Sequence, residues 1–143
     1  TESHSYSNNA PELKTEQEIA IMREAGKIVA AAHRIAADMI KPGVRTIDID
    51  MAIEAHFAAH NAKSLFKGYR GNHRTPYPAV TCISINEEVV HGIPGSRVLR
   101  DGDIVGLDVG ALWRGYHADA ARTFDACQRT VAASSPSRSP NQL

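Results

Sequence analysis

The sequence predicts an α+β domain with helices packed on an antiparallel sheet, and three features predict it. Apolar residues recur at helical spacing over the first third, the period changes to strand-like alternation at AVTCISI, and DGDIVGLDVGALWRGYHADAARTF reads as two strands folding back on each other. With 143 residues, 43% of them hydrophobic, the chain can bury the core of one ordinary domain.

The elements follow in order. Residues 1–14 are polar, carry Asn8, Asn9 and Pro11, and show no periodicity, so a mobile leader is expected. Thr15 with Glu18 three positions on forms a capping box. Behind it, Ile19, Met22, Ala25, Ile28, Val29, Ala32, Ile35, Ala36 and Met39 make a stripe expected to face the core. Lys41-Pro42-Gly43 stops that helix. Thr46 with Asp48 opens a second one running to about Asn61, with Ile49, Ala52, Ile53 and Phe57 inward. The loop FKGYRGNHRTPYP leads to the AVTCISI strand, NEEVVHGIPG ends and turns it, and Asp101-Gly102 turns the chain into the long hairpin. After Phe124 the stretch DACQRTVAASSPSRSPNQL loses periodicity and is rich in Ser, Pro and Arg, so residues 125–143 are expected to be a disordered tail beyond a domain of 15–124.

Composition narrows the function classes. Sixteen basic residues balance sixteen acidic ones, so no global field draws nucleic acid or an anionic membrane. No apolar run approaches the roughly 18 residues of a membrane span, and the polar start does not resemble a secretory signal, so a soluble, cytoplasmic protein is expected. Cys82 and Cys127 stand apart from any CxxC pair and read as reduced thiols, although two cysteines are enough for one bridge. GxSxG, P-loop and dinucleotide-binding signatures are absent from the sequence.

The chemistry concentrates in the hairpin. A turn centred between Trp113 and Arg114 pairs Leu112 with Gly115 and sets Asp108 directly opposite Asp119, with Cβ atoms about 5 Å apart. Two ionised carboxylates so placed repel, and each takes up a proton or shares a strongly positive group. A divalent cation such as Mn, Co, Fe, Zn or Mg is one solution. The bland alternative is two aspartates on solvated faces, but Asp108 lies in the otherwise apolar run IVGLDVGAL, where a carboxylate is costly unless satisfied, and Gly106 and Gly110 leave room on its face. His91, before a Gly-x-Pro turn, is either structural or a hydrogen-bond donor to substrate. His117, two before Asp119 on the same face, is the second candidate ligand. His33, His56 and His60 are expected at the surface or the core edge, and Cys82 reads as a small buried hydrophobe rather than a nucleophile.

TCISINEEVVHGIPG, DGDIVGLDVG and GYHADAARTF together resemble the bacterial-type (type I) methionine aminopeptidases, and the likeness runs from about Leu13 to Phe124, through KTEQEIAIMREAGKIVA, KPGVRTIDID and GYRG. The resemblance implies the N-terminal half of the pita-bread fold, whose two pseudo-symmetric α+β halves enclose two divalent metal ions (Co, Mn, Fe, Zn or similar). It also implies removal of the initiator methionine from nascent proteins by a monomeric enzyme. By motif, Asp108 and Asp119 correspond to the first-half metal ligands, His91 to a histidine contacting the scissile peptide, and Tyr77 and Cys82 to walls of the methionine pocket.

Two departures from the family pattern carry expectations of their own. Asn72–Pro76, NHRTP, reads as a short insertion at the pocket rim. Beyond Phe124 the pattern is lost, and with it the family's second-half histidine and two glutamates. Residues 125–143 contain neither His nor Glu, so the chain as given is expected to be truncated and inactive alone. The alternatives are a non-catalytic peptide- or partner-binding module of the same fold, and a sibling aminopeptidase specific for proline.

Overall fold

A computed structural model describes residues 11–127, so most of the expected leader and tail lies outside them, while Asp125 and Ala126, expected in the tail, complete the last strand, with Ala126 fully buried. Helix α1 (Glu16–Met39) starts where the capping box places it. The Glu18 N–H donates to Thr15 Oγ1 at 3.2 Å, and the Thr15 N–H donates to Glu18 Oε2 at 2.7 Å. Its apolar stripe buries Ala25, Ile28, Val29, Ala32 and Ala36, while Ile19 and Met22, one to two turns earlier, stay exposed. His33 departs from expectation. It is 2% exposed, because it lies one turn from Val29 and Ala36 on the face that meets the sheet.

Helix α2 (Thr46–Ala59) begins at an N-cap, Arg45, that makes no side-chain cap. Thr46 is instead buried and exchanges hydrogen bonds with the Gly95 backbone, donating at 3.1 Å and accepting at 2.9 Å, which pins the helix start to the loop before β3. Asp48 accepts two bonds from the Arg45 guanidinium, at 2.7 and 2.9 Å.

The strands are β1 (Lys63–Ser64), β2 (Thr81–Ile85), β3 (Asp103–Trp113) and β4 (Tyr116–Ala126), all antiparallel. β3 is central, with β1 and β2 following one another along one edge and β4 along the other. β1 is too short to leave a sequence signal. One face of β3, through Val105, Leu107, Val109 and Ala111, packs with Ile83 and Ile85 of β2 against Ile28, Val29, Ile49, Ile53 and Phe57 of the helices. Each of these side chains larger than alanine contributes roughly 1.5–3 kcal/mol on burial. All five β2 residues are buried despite the alternating sequence, and the segment after the strand returns along its outer edge: the Ile83 N–H donates to Gly92 O at 2.8 Å and the Gly92 N–H to Ser84 Oγ at 3.0 Å.

The hairpin register differs from the sequence reading by one position at the turn. Trp113 pairs with Tyr116, so the turn residues are Arg114 and Gly115, both at positive φ (47° and 84°), as a type I′ turn requires. A turn over Trp113-Arg114 would force the bulky indole residue into that region. Gly110 therefore faces Asp119, and Asp108 faces Ala121 on β4 and Cys82 on β2. The two aspartates are diagonal rather than directly opposed. They keep a common face, because moving the turn by one residue changes each pairing by two and preserves the alternation.

Candidate active site

The face of the sheet opposite the helices carries Asp108, Asp119, Cys82 and Gly110. Asp108 is half-buried and its Oδ1 is buried with no hydrogen-bond partner. Burial raises its pKa above the ordinary carboxylate value, the charge of Asp119 and a hydrogen bond between the two side chains raise it further, and His91 opposes them. A buried, unsatisfied carboxylate oxygen next to a second carboxylate is a place where a cation is stabilising. Gly110 supplies the space: a Cβ there would lie 3.0 Å from Asp119 Oδ2, from Leu65 and from Phe66. The pair thus fits part of a divalent-metal site. Among the described residues no three His, Cys, Asp or Glu side chains converge as a complete one. His117 lies on the Asp119 face and is exposed.

Asp108 closes one side of a pocket of about 630 Å³. Leu65, Phe66, Tyr77, Cys82 and Ile93 give it an apolar wall, and His91 stands at its edge. His91 is exposed and held at φ 60°, a left-handed conformation that His, like Asn and Asp, adopts more readily than most residues. Two neighbours hold that loop. The Tyr77 hydroxyl donates toward Thr81 O at 2.9 Å and Gly92 O at 3.1 Å, and Gly92 passes so close to β2 that a Cβ would meet Ile83 O at 2.2 Å. Burial raises the Tyr77 pKa, so the hydroxyl stays a neutral donor. Burial also raises the Cys82 thiol, with Asp108 and Asp119 adding to it, and a thiol kept protonated is a pocket wall and not a nucleophile. Both cysteines are free.

The sequence reading missed a carboxylate that positions the site. Asp50 on α2 is 4% exposed and accepts from the Val80 N–H (3.1 Å), the Thr81 N–H (2.9 Å) and the Thr81 hydroxyl (2.6 Å), fixing the start of β2 and hence Cys82. A signal existed: Asp50, Ile53 and Phe57 share one helical face, which places a carboxylate among core residues.

By architecture the described residues are one α+β half of the pita-bread fold, with a carboxylate pair on the open face of its sheet. The profile of metallopeptidase family M24 matches residues 20–136, and the chain belongs to that metal-dependent family. It is 49% identical over 111 residues to methionine aminopeptidase 1 of Bacillus subtilis, an alignment covering 78% of this chain and 43% of the relative. A crystal structure of methionine aminopeptidase from Thermotoga maritima superposes with a TM-score of 0.75 at 42% identity, over 82% of this chain and 45% of that one. Proline aminopeptidase P II from Yersinia pestis gives 0.63 at 31% identity, over 80% and 24%. The chain thus spans less than half the length of these relatives. No helix among the described residues is long and apolar enough to cross a membrane.

Proposed function

We propose that these residues form the first half of the active site of a cytoplasmic, divalent-metal aminopeptidase that removes the initiator methionine from nascent proteins. The observation that carries it is the Asp108–Asp119 pair, with one buried oxygen lacking a partner, beside a pocket with an apolar wall. Asp108 and Asp119 would hold the metal, and Gly110 keeps their face clear. When bound, a divalent pair polarises a peptide carbonyl and acidifies water at neutral pH. The chain's own residues do the rest. Leu65, Phe66, Tyr77 and Cys82 desolvate a thioether side chain, for which a ring and a soft thiol are suitable contacts. His91, at the boundary of pocket and solvent, donates a hydrogen bond to the peptide where charge develops. The 49% identity to a methionine-specific relative favours this reading over proline specificity.

Two side chains bind metal weakly, so the first test is binding. Mn(II) added to the purified chain is expected to broaden NMR signals around Asp108 and Asp119, with the effect lost in Asp108→Asn. Broadening that the substitution leaves unchanged would remove the carboxylate pair as the metal locus. Methionine release from Met-Ala-Ser with excess Mn is expected to be undetectable for this chain alone. Release abolished by Asp108→Asn would support the activity and refute the half-site part of the proposal.

A further inference from the structure

The loop from Arg70 to Pro76 contains the NHRTP segment that departs from the family pattern. Its base is pinched shut: the Gly68 N–H donates to Tyr77 O at 2.8 Å and the Tyr77 N–H to Tyr69 O at 2.7 Å. Within it, the His73 N–H donates to Arg70 O at 2.8 Å and the Arg70 guanidinium reaches Arg74 O at 3.4 Å. The loop is therefore a closed excursion at a fixed place. That place is the pocket mouth, since Tyr69, His73, Thr75 and Pro76 line the same cavity as His91 and Asp108.

Its charge is one-sided. No Asp or Glu occurs between Glu54 and Glu87, a stretch that contains Lys63, Lys67, Arg70 and Arg74. Lys67 is paired with Glu54, whereas Arg70 and Arg74 enter no ion pair among the described residues. Both are exposed. On a chain with zero formal net charge this is a local positive rim, set where a peptide must leave the pocket.

We propose that this loop reads charge: it favours peptides with acidic side chains downstream of the N-terminal methionine, at about the third to fifth positions. Those residues lie roughly 7–14 Å along an extended chain from the first, beyond the pocket mouth. The proposal rests on the pocket taking the first side chain, as proposed above. Exposed charge pairs of this kind favour the matched ligand by about 3- to 10-fold at low salt, and screening removes the preference.

The experiment is fluorescence polarisation with the full chain in EDTA, so that metal occupancy plays no part. The probes are C-terminally labelled Met-Ala-Glu-Glu-Glu, Met-Ala-Lys-Lys-Lys, Met-Ala-Ser-Gly-Ser and Ser-Ala-Glu-Glu-Glu. The acidic Met-first peptide is expected to bind about 3- to 10-fold tighter than the uncharged one and the basic peptide more weakly. The spread should collapse toward unity at high salt and in the Arg70→Ser, Arg74→Ser double variant. Equal binding of the three Met-first peptides, or a preference that survives in the double variant, overturns the rim while leaving the methionine pocket standing. Ser-Ala-Glu-Glu-Glu binding as well as its Met-first counterpart, or no Met-first peptide binding, overturns the pocket reading and the rim with it. Circular dichroism of the double variant checks its fold, and single Arg70→Ser and Arg74→Ser variants repeat the comparison if it is disturbed.

Discussion

His33 shows how one buried side chain carries a pH dependence. Its Nε2 lies 2.8 Å from Ala120 O, which only accepts, so Nε2 holds the proton and Nδ1 is left as a bare, buried acceptor without a partner. Burial depresses its pKa below the ordinary 6.5, partly offset by the hydrogen bond to Ala120. As pH falls the unfolded chain takes up this proton first. The stability linked to His33 is thus present above about pH 6.5 and lost as pH drops through the lowered folded value. His33→Leu removes the titration. At pH 8 it is expected to cost about 0.5–1.5 kcal/mol for the lost hydrogen bond, and at pH 5 the difference from the parent should shrink or reverse. Urea unfolding at both pH values checks this, and parallel losses in the two proteins would contradict it. The position was legible in part, since His33 falls among the stripe residues. Its burial was not, because polarity alone does not reveal that β4 offers a carbonyl to receive it.

At the scale of the element, the hairpin separates what pattern fixes from what backbone geometry fixes. Alternation put Asp108 and Asp119 on one face, and the structure keeps them there. The direct opposition failed because the turn was centred without regard to which residues tolerate positive φ, and Arg114-Gly115 is the pair that does. Asn is favoured over Arg at the first of those positions. Arg114→Asn is therefore expected to stabilise the protein by about 0.5 kcal/mol, net of losing the guanidinium stacked 4.6 Å from the Trp113 ring. Gly115→Ala, at φ 84°, is expected to cost about 1 kcal/mol or more. Thermal melts of the two variants read both directions, and a stabilised Gly115→Ala would refute the turn assignment. Asp50 is a different case: local periodicity places it on the buried face of α2, but its partners on and before β2 lie thirty residues away, beyond the reach of that periodicity.

At the scale of the whole molecule, the helices cover one face of the sheet and leave the other with the carboxylate pair, Val89 and Val90 at 88% and 65% exposure, and Ile93 at 60%. β4 runs eleven residues and pairs only with β3 among the described residues, so its outer edge offers unpaired backbone groups next to that apolar surface. Long unpaired edges template pairing with another chain, and apolar patches strengthen the contact once made. The chain is accordingly expected to self-associate in the roughly micromolar to millimolar range, seen as a sedimentation coefficient that rises with concentration. A charge on the edge opposes such pairing. Thr123→Lys, at an exposed β4 position, is expected to shift the association to higher concentration, whereas Val89→Lys should do so only if the apolar patch rather than the edge makes the contact. If the parent's sedimentation does not change with concentration, the edge is protected and association through β4 is refuted. If it changes equally in the parent and in Thr123→Lys, while Val89→Lys abolishes it, the open face is the adhesive surface, and that face is the one that carries Asp108 and Asp119.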